Sequence, residues 1–377
     1  MKFSDVIGQE RLAARLAVGV DSGRVSHAQM FTGPSGCGGL ALALAYAQYV
    51  NCLSRVGGDS CGVCASCVKM GALAHPDLHF LLPVNSSSKS GSQKPGSDTF
   101  LPRWREIVAS TGGYFDEQMW YRAIDIENQQ GIISRADADE LMRKLSFKSF
   151  EGRFKVVIIW LPEKMRSEAA NALLKILEEP WEGTLFLLVS SAPQMLLPTI
   201  LSRVQQTEVP RVDAEELERW LIYDRKVEPA RAAEAVRLSG GDVLEASNIA
   251  ADGTLGTEEY FELFKQLMRL AYGNKHMELI EWADAVIGMG REEQKRLLAY
   301  TARMLRSSYM LSAGMEPLAY LWGEQKEFCT KFAPFIDNRN IEALVREVTL
   351  AAEQVMRNGN PRMIFPHFAL TVSKMIG

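Results

Sequence analysis

The sequence predicts an α/β domain built on a parallel sheet, followed by two helical domains. Strand-like apolar runs alternate with helix-patterned segments through about residue 205, and that alternation implies a parallel sheet with helices on both faces. Beyond about 206 the strand-like runs stop and helical patterning takes over. A chain of 377 residues also exceeds one compact core and calls for roughly two or three domains. The predicted boundaries are 1–205 for the α/β domain, 206–255 for a small helical domain and 256–377 for a larger one.

Residues 7–22 carry apolar positions at helical spacing, and His27–Thr32 reads as a short buried strand ending at a glycine cluster, Gly33 to Gly39. Leu40–Val50 is rich in Ala and Leu, which favours helix. Lys155–Trp160 is a β-branched run typical of a strand covered on both faces. Ser167–Leu177 reads as helix and Thr184–Ser190 as a further apolar strand. The polar low-complexity run 85–98 has almost nothing to bury and reads as an exposed loop. Residues 213–250 form a small helical group, and 257–377 is helical almost throughout. Asp252-Gly253-Thr254 and Asn358-Gly359-Asn360-Pro361 are the clearest breaks.

Hydrophobic residues at 47% and charged residues at 23% exclude wholesale disorder and fibrous repeats. No stretch approaches the ~18 to 20 apolar residues of a bilayer span, and the opening Met1–Asp5 lacks a signal-peptide apolar block. The six cysteines are therefore expected in the reducing cytoplasm, where structural disulfides are rare. Through residue 205 there are 21 Lys and Arg against 20 Asp and Glu; totals of 42 and 46 leave 21 against 26 for the remainder. Neither half has the basic excess of a protein that grips nucleic acid alone.

Gly33-Pro-Ser-Gly-Cys-Gly38-Gly39-Leu40 follows a strand and opens a helix, with the G-x-x-x-x-G spacing of a phosphate-binding loop. A working loop adds a Lys for the terminal phosphates and a Ser or Thr for magnesium. Gly39 and Leu40 stand there instead. The missing ammonium forfeits on the order of 4 kcal/mol at an effective dielectric of ~20, and leucine offers a hard cation no oxygen. A generic tight turn before a helix fits the loop alone equally well. The tip of the strand 155–160 favours a chemistry that has been removed. Where a nucleotide hydrolase needs an acidic pair, this chain has Trp160 and Leu161. No ATP hydrolysis is expected from the chain alone, while weak nucleotide binding by the backbone nest stays open.

Cys52, Cys61, Cys64 and Cys67 give C-x8-C-x2-C-x2-C, a spacing that lets four thiolates surround one ion. The last three also suit an iron–sulfur run, but no further Cys-Pro or redox motif follows, so zinc is favoured. Four sulfurs close the site and make its role structural. Cys37 and Cys329 read as core or loop residues, and His75 and His79 as competitors the cluster does not need.

These residues resemble the AAA+ clamp-loader family of bacterial DNA polymerase III, in its delta prime branch. The resemblance rests on Phe3-Ser-Asp-Val-Ile-Gly-Gln9, His27–Gly33, the four cysteines after the glycine-loop helix, Ala169–Pro180 and Leu197–Arg203. It covers roughly residues 1–250, apart from an insertion at about 84–125, and is weak over 257–377. It implies an AAA+ P-loop domain with an inserted zinc-binding module at about 50–70. A helical lid and an all-α C-terminal collar for oligomerisation would follow.

The resemblance puts Arg203 on the family's arginine finger, which reaches the triphosphate of a neighbouring subunit, with Ser202 fixing the local backbone. Without the flanking block, Arg203 would read as an ordinary surface arginine. Val204 replaces the family's cysteine, and the lid arginine that senses nucleotide falls near Leu244. Gamma-type subunits share the zinc cluster but keep the lysine and acidic residues. The implied function is an ATPase-inactive stator in the polymerase III holoenzyme, in a ring of five with gamma/tau and delta subunits, helping load the sliding clamp onto primed DNA. Arg143, Lys144, Lys148, Arg153 and Lys155 read as a solvated helix face. The alternatives are an active gamma-type ATPase, with Glu163 as displaced acid, and a stand-alone zinc-containing DNA-binding protein.

Overall fold

A computed structural model describes residues 1–85, 96–126, 130–251, 255–316, 319, 321 and 323–376. Most of the polar run read as an exposed loop, and the break at 252–254, lie outside the described residues. The chain divides into two compact units, Met1–Ala251 and Asp252–Gly377.

In the first unit, helix α1 (Glu10–Asp21) precedes strand β1 (Ala28–Thr32), and α2 (Gly39–Asn51) leaves the glycine loop. The short helix α3 (Ala65–Gly71) leads to β2 (Leu78–Leu81). Next come α4 (Leu101–Thr111), α5 (Glu117–Ala123) and α6 (Arg135–Leu145), then β3 (Lys155–Trp160), α7 (Ser167–Glu178), β4 (Thr184–Ser190), α8 (Pro198–Leu201) and β5 (Gln205–Glu208). The five strands are parallel, in the order β2-β3-β4-β1-β5. Strands β3 and β4 are buried along their whole length, as apolar runs under helices on both faces must be.

Two cores flank this sheet. One joins α1 and α2 to Phe31, Val156, Ile158 and Leu187. The other joins α6, α7 and α8 to Met30, Val157, Ile159 and Leu188. The alternation of strand residues between the two lists follows from the two-residue repeat of a strand. Helices α9 (Ala214–Tyr223), α10 (Pro229–Ser239) and α11 (Val243–Ala251) share the first core through Leu217, Leu221, Ala235 and Val243.

The sequence reading missed β2 and β5. Only four residues long, β2 is too short to show a pattern, and β5 is a polar, largely exposed edge strand. Lys155 departs from the solvated face assigned to it. It is buried, and its Nζ donates to the carbonyls of Leu145 at 2.5 Å and Phe147 at 2.9 Å.

The second unit is helical: α12 (Leu255–Tyr272), α13 (His276–Ile287), α14 (Arg291–Ser312), α15 (Gly323–Phe332), α16 (Ile341–Met356) and α17 (Pro361–Ile376). Its core centres on Phe264, Trp282, Leu305, Phe365 and Phe368. Pro361 opens α17 at a position where its missing N–H costs no helical bond. No helix among the described residues is long and apolar enough to cross a membrane.

Candidate functional site

The glycine loop lies at the C-terminal end of β1, beneath a cleft of about 320 Å³. Gly36 and Gly38 have φ of +74° and +91°, conformations that favour glycine. Gly38 caps α2, whose first-turn N–H groups have no intrahelical acceptor and form the nest an anion would use. Leu40 is a buried core residue and gives the cleft wall an apolar side chain. Among the described residues lining the cleft there is no Lys or Arg, whereas Asp116 and Glu117 are both present.

The strand tip is equally apolar. Trp160 and Leu161 are buried, and Leu161 takes a left-handed φ of +53°. Trp160 packs against two rings from α4 and the turn after it, Trp104 and Phe115, each with centroids 5.2 Å away. Trp104 also meets Trp120 edge-on at 5.2 Å, and the Trp120 indole N–H donates to the Pro83 carbonyl at 2.8 Å. Helices α4 and α5 and the turn joining them thus form a packed arm whose aromatic residues surround the strand tip.

Tyr114, on the same arm, is a cleft residue the sequence reading did not single out. The Ile7 N–H donates to its hydroxyl at 2.9 Å, and a Cβ added to Gly38 would lie 2.9 Å from that same oxygen. Gly113, at φ +80°, presses on Ala41 in the first turn of α2. The Gly112-Gly113 pair was a visible turn signal, but nothing in the sequence said what the turn would touch.

The helical group contributes as well. The Val243 N–H donates to the Gly36 carbonyl at 3.1 Å, and Asp242 lies so close that a Cβ on Gly36 would overlap its carboxylate. Burial pushes Asp242 above the ordinary carboxylate range, against the pull of the Glu245 N–H and Arg211. Gln9 fastens the opening segment by donating to the carbonyls of Cys37 at 3.0 Å and Pro210 at 2.8 Å. Glu163 accepts from the Ser190 hydroxyl at 2.8 Å and the Ser191 N–H at 3.2 Å, two residues of the cleft lining. Leu244 lies in the first turn of α11.

Arg203 sits between α8 and β5, away from the chain's own glycine loop in sequence and on a different strand end. Its Nε donates to Glu178 Oε1 at 2.7 Å, and its terminal nitrogens reach the same carboxylate and the Thr199 carbonyl at 2.7 Å. Ser202 Oγ donates to the Thr199 carbonyl at 3.2 Å and accepts from Arg203 at 3.3 Å. Glu178 belongs to the Ala169–Pro180 block, so two separate sequence motifs meet at this guanidinium.

The four cysteines Cys52, Cys61, Cys64 and Cys67 bring their sulfurs within 4.8 Å of one another. The Cys52–Cys61 and Cys61–Cys67 sulfur separations are 3.6 and 3.9 Å. A zinc–sulfur distance of ~2.3 Å requires tetrahedral edges of about 3.8 Å, so the group can hold such an ion. Backbone N–H groups of Cys61, Cys64 and Cys67 donate to the sulfurs of Cys52, Cys61 and Cys64 at 3.3 to 3.4 Å. The N–H groups of Val63 and Cys64 pull the Cys61 thiol down to about 6, while burial pushes Cys52 and Cys67 up. His75 and His79 are not in this group. Cys37 and Cys329 are buried, and burial pushes both thiols up.

The family described as "DNA polymerase III, delta subunit" matches residues 8–213. The gamma/tau subunit of DNA polymerase III from Mycobacterium bovis is 31% identical over 201 residues, covering 53% of this chain and 27% of the relative. The delta' subunit of Pseudomonas aeruginosa is 31% identical over 229 residues, covering 60% of this chain and 57% of its own. The delta' subunit of Bacillus subtilis is 29% identical over 244 residues, covering 62% and 60%. The chain thus spans less than two thirds of the length of each of these relatives. The family match takes in the glycine loop, the cysteine cluster and the arginine segment, more than half of the sequence, and the chain belongs to the DNA polymerase III delta subunit family of clamp-loader proteins.

Proposed function

We propose that this chain is the ATPase-inactive, delta prime-type stator of a DNA polymerase III clamp loader. Its relatives' names, subunits gamma/tau and delta', supply the partner class. The chain would stand in a five-subunit ring with gamma/tau and delta, acting on the sliding clamp and primed DNA through the complex. Residues 1–205 serve as the AAA+ domain, 206–255 as its lid and 256–377 as the oligomerising collar. Cys52, Cys61, Cys64 and Cys67 hold a structural zinc ion, which fixes the segment between α2 and β2 without taking part in chemistry.

The observation that carries this reading is the cleft. It has a phosphate-loop backbone but, among the described residues, no Lys or Arg on its walls, and Leu40, Trp160 and Leu161 line it as buried apolar side chains. Triphosphate chemistry depends on positive charge placed at the transferring phosphoryl, and the described lining of this cleft supplies no such side chain. Arg203 is the residue the chain gives away. A planar, permanently charged guanidinium suits a phosphoryl group in transit, and the Glu178 pair holds it extended until a stronger anion arrives. In a reconstituted complex, Arg203→Ala should assemble normally and lose most DNA-stimulated ATP turnover at one neighbouring site. Undiminished turnover at every site would refute the assignment.

A further inference from the structure

The arm over the glycine loop explains more than the missing lysine does. Three contacts set it against the groups an anion would need. Gly113 lies on the backbone of Ala41, where an added Cβ would stand 3.3 Å from both its N and Cα. The Tyr114 ring lies against Gly38, and its hydroxyl takes the Ile7 N–H at 2.9 Å. Asp116 and Glu117 follow on the cleft wall, where Asp116 caps α5 and Glu117 pairs with Lys164 at 2.6 Å.

This arm is fixed rather than hinged. Trp104 and Trp120 are fully buried, and Phe115 meets Trp104 edge-on at 5.3 Å and Trp160 at a tilt at 5.2 Å. The tryptophan that replaced a strand-tip acid is thus part of the arm's anchor. The apolar strand tip and the insertion, separate oddities in the sequence, are one device. The space left, about 320 Å³, is at the lower end of the ~300 to 1000 Å³ usual for small-molecule sites.

We infer that the arm closes the cleft to nucleoside triphosphates, with Tyr114 as the plug against the first turn of α2, independently of the loss of lysine. This rests on reading the cleft as a nucleotide cleft stripped of its chemistry. Two locks then act in series. The missing ammonium removes attraction, while the plug removes space. Rebuilding the loop sequence alone does not reopen the site.

Calorimetric titration of the full-length chain with magnesium ATP tests this in three variants. Gly39→Lys with Leu40→Thr restores the loop residues, a second variant adds Tyr114→Ala, and a third adds Tyr114→Phe. Truncation to alanine should raise the affinity of the rebuilt loop at least about tenfold, while the phenylalanine variant, which keeps the ring, should stay closed. Equal binding with and without Tyr114→Ala overturns the inference. So does no binding by either, or opening by phenylalanine to the same extent as by alanine. If the alanine variant melts below the assay temperature, Tyr114→Val gives the same comparison. Failure here leaves Arg203 donation standing, because these titrations contain no neighbouring subunit. Failure of the Arg203→Ala experiment likewise leaves this one intact.

Discussion

Replacing Trp160 by Asp would return the residue type a nucleotide hydrolase uses at that strand tip, and should cost the fold instead of restoring chemistry. Trp160 is 4% exposed and touches Trp104 and Phe115 at ring separations of 5.2 Å. Truncating a buried Trp costs ~3 to 5 kcal/mol, and each lost aromatic pair adds ~0.5 to 1.5 kcal/mol. About 5 kcal/mol is a fair centre for Trp160→Ala. At ~2 to 4 °C per kcal/mol for a unit of this size, its melting point should fall by about 10 to 20 °C. Trp160→Asp should lose at least as much, since its carboxylate enters a buried aromatic pocket. Thermal unfolding followed by circular dichroism reads both numbers. The reasoning fails if Trp160→Asp melts within about 2 °C of the parent, or gains stability from magnesium and ATP.

Two further outcomes concern the cysteine cluster and pH. Metal analysis of purified protein should find about one zinc per chain, and serine at Cys61 and Cys64 together should abolish it and open residues 52–67 to proteolysis; an iron–sulfur absorption band, or no metal, would overturn the zinc reading. Burial, with Lys144 as the next cause, lowers the His79 pKa to about 4 from its ordinary 6.5. The folded state therefore keeps this imidazole neutral, so its contribution is whole above about pH 6.5 and is lost as pH falls toward 4, about 3 kcal/mol in all. His79→Gln should flatten that part of the stability–pH curve, and an unchanged slope would refute the assignment.

How far the sequence could be read depended on whether a feature was local. Strands β1, β3 and β4 announced themselves because both faces are buried and every residue is apolar or nearly so. Strand β5, Gln-Gln-Thr-Glu, has three exposed side chains and is a strand only because β1 lies beside it. The four cysteines were legible because metal geometry constrains spacing along the chain. Tyr114 was not, since its partners Ile7 and Gly38 are 107 and 76 positions away, and no local pattern encodes such a meeting. Lys155 misled for a related reason: a charge at a strand start reads as solvated until two carbonyls are found around it. Glu178 and Arg203 were each noticed inside their own motif, while their pairing needed the fold.

The sheet also gives the molecule a direction. Strands β1 and β5 are parallel neighbours, with Gln29 opposite Gln205 and Thr32 opposite Glu208. The glycine loop leaves β1 at its far end, whereas Arg203 comes just before β5 begins, so the two lie at opposite ends of one pair of strands. Head-to-tail rows of such subunits need a socket on one side of each member and a prong on the other. On the proposed reading this chain has kept the prong and filled the socket. On that reading it would serve a neighbour's site without having one of its own, so an assembly containing it would hold one fewer fuel-burning site than it has such members.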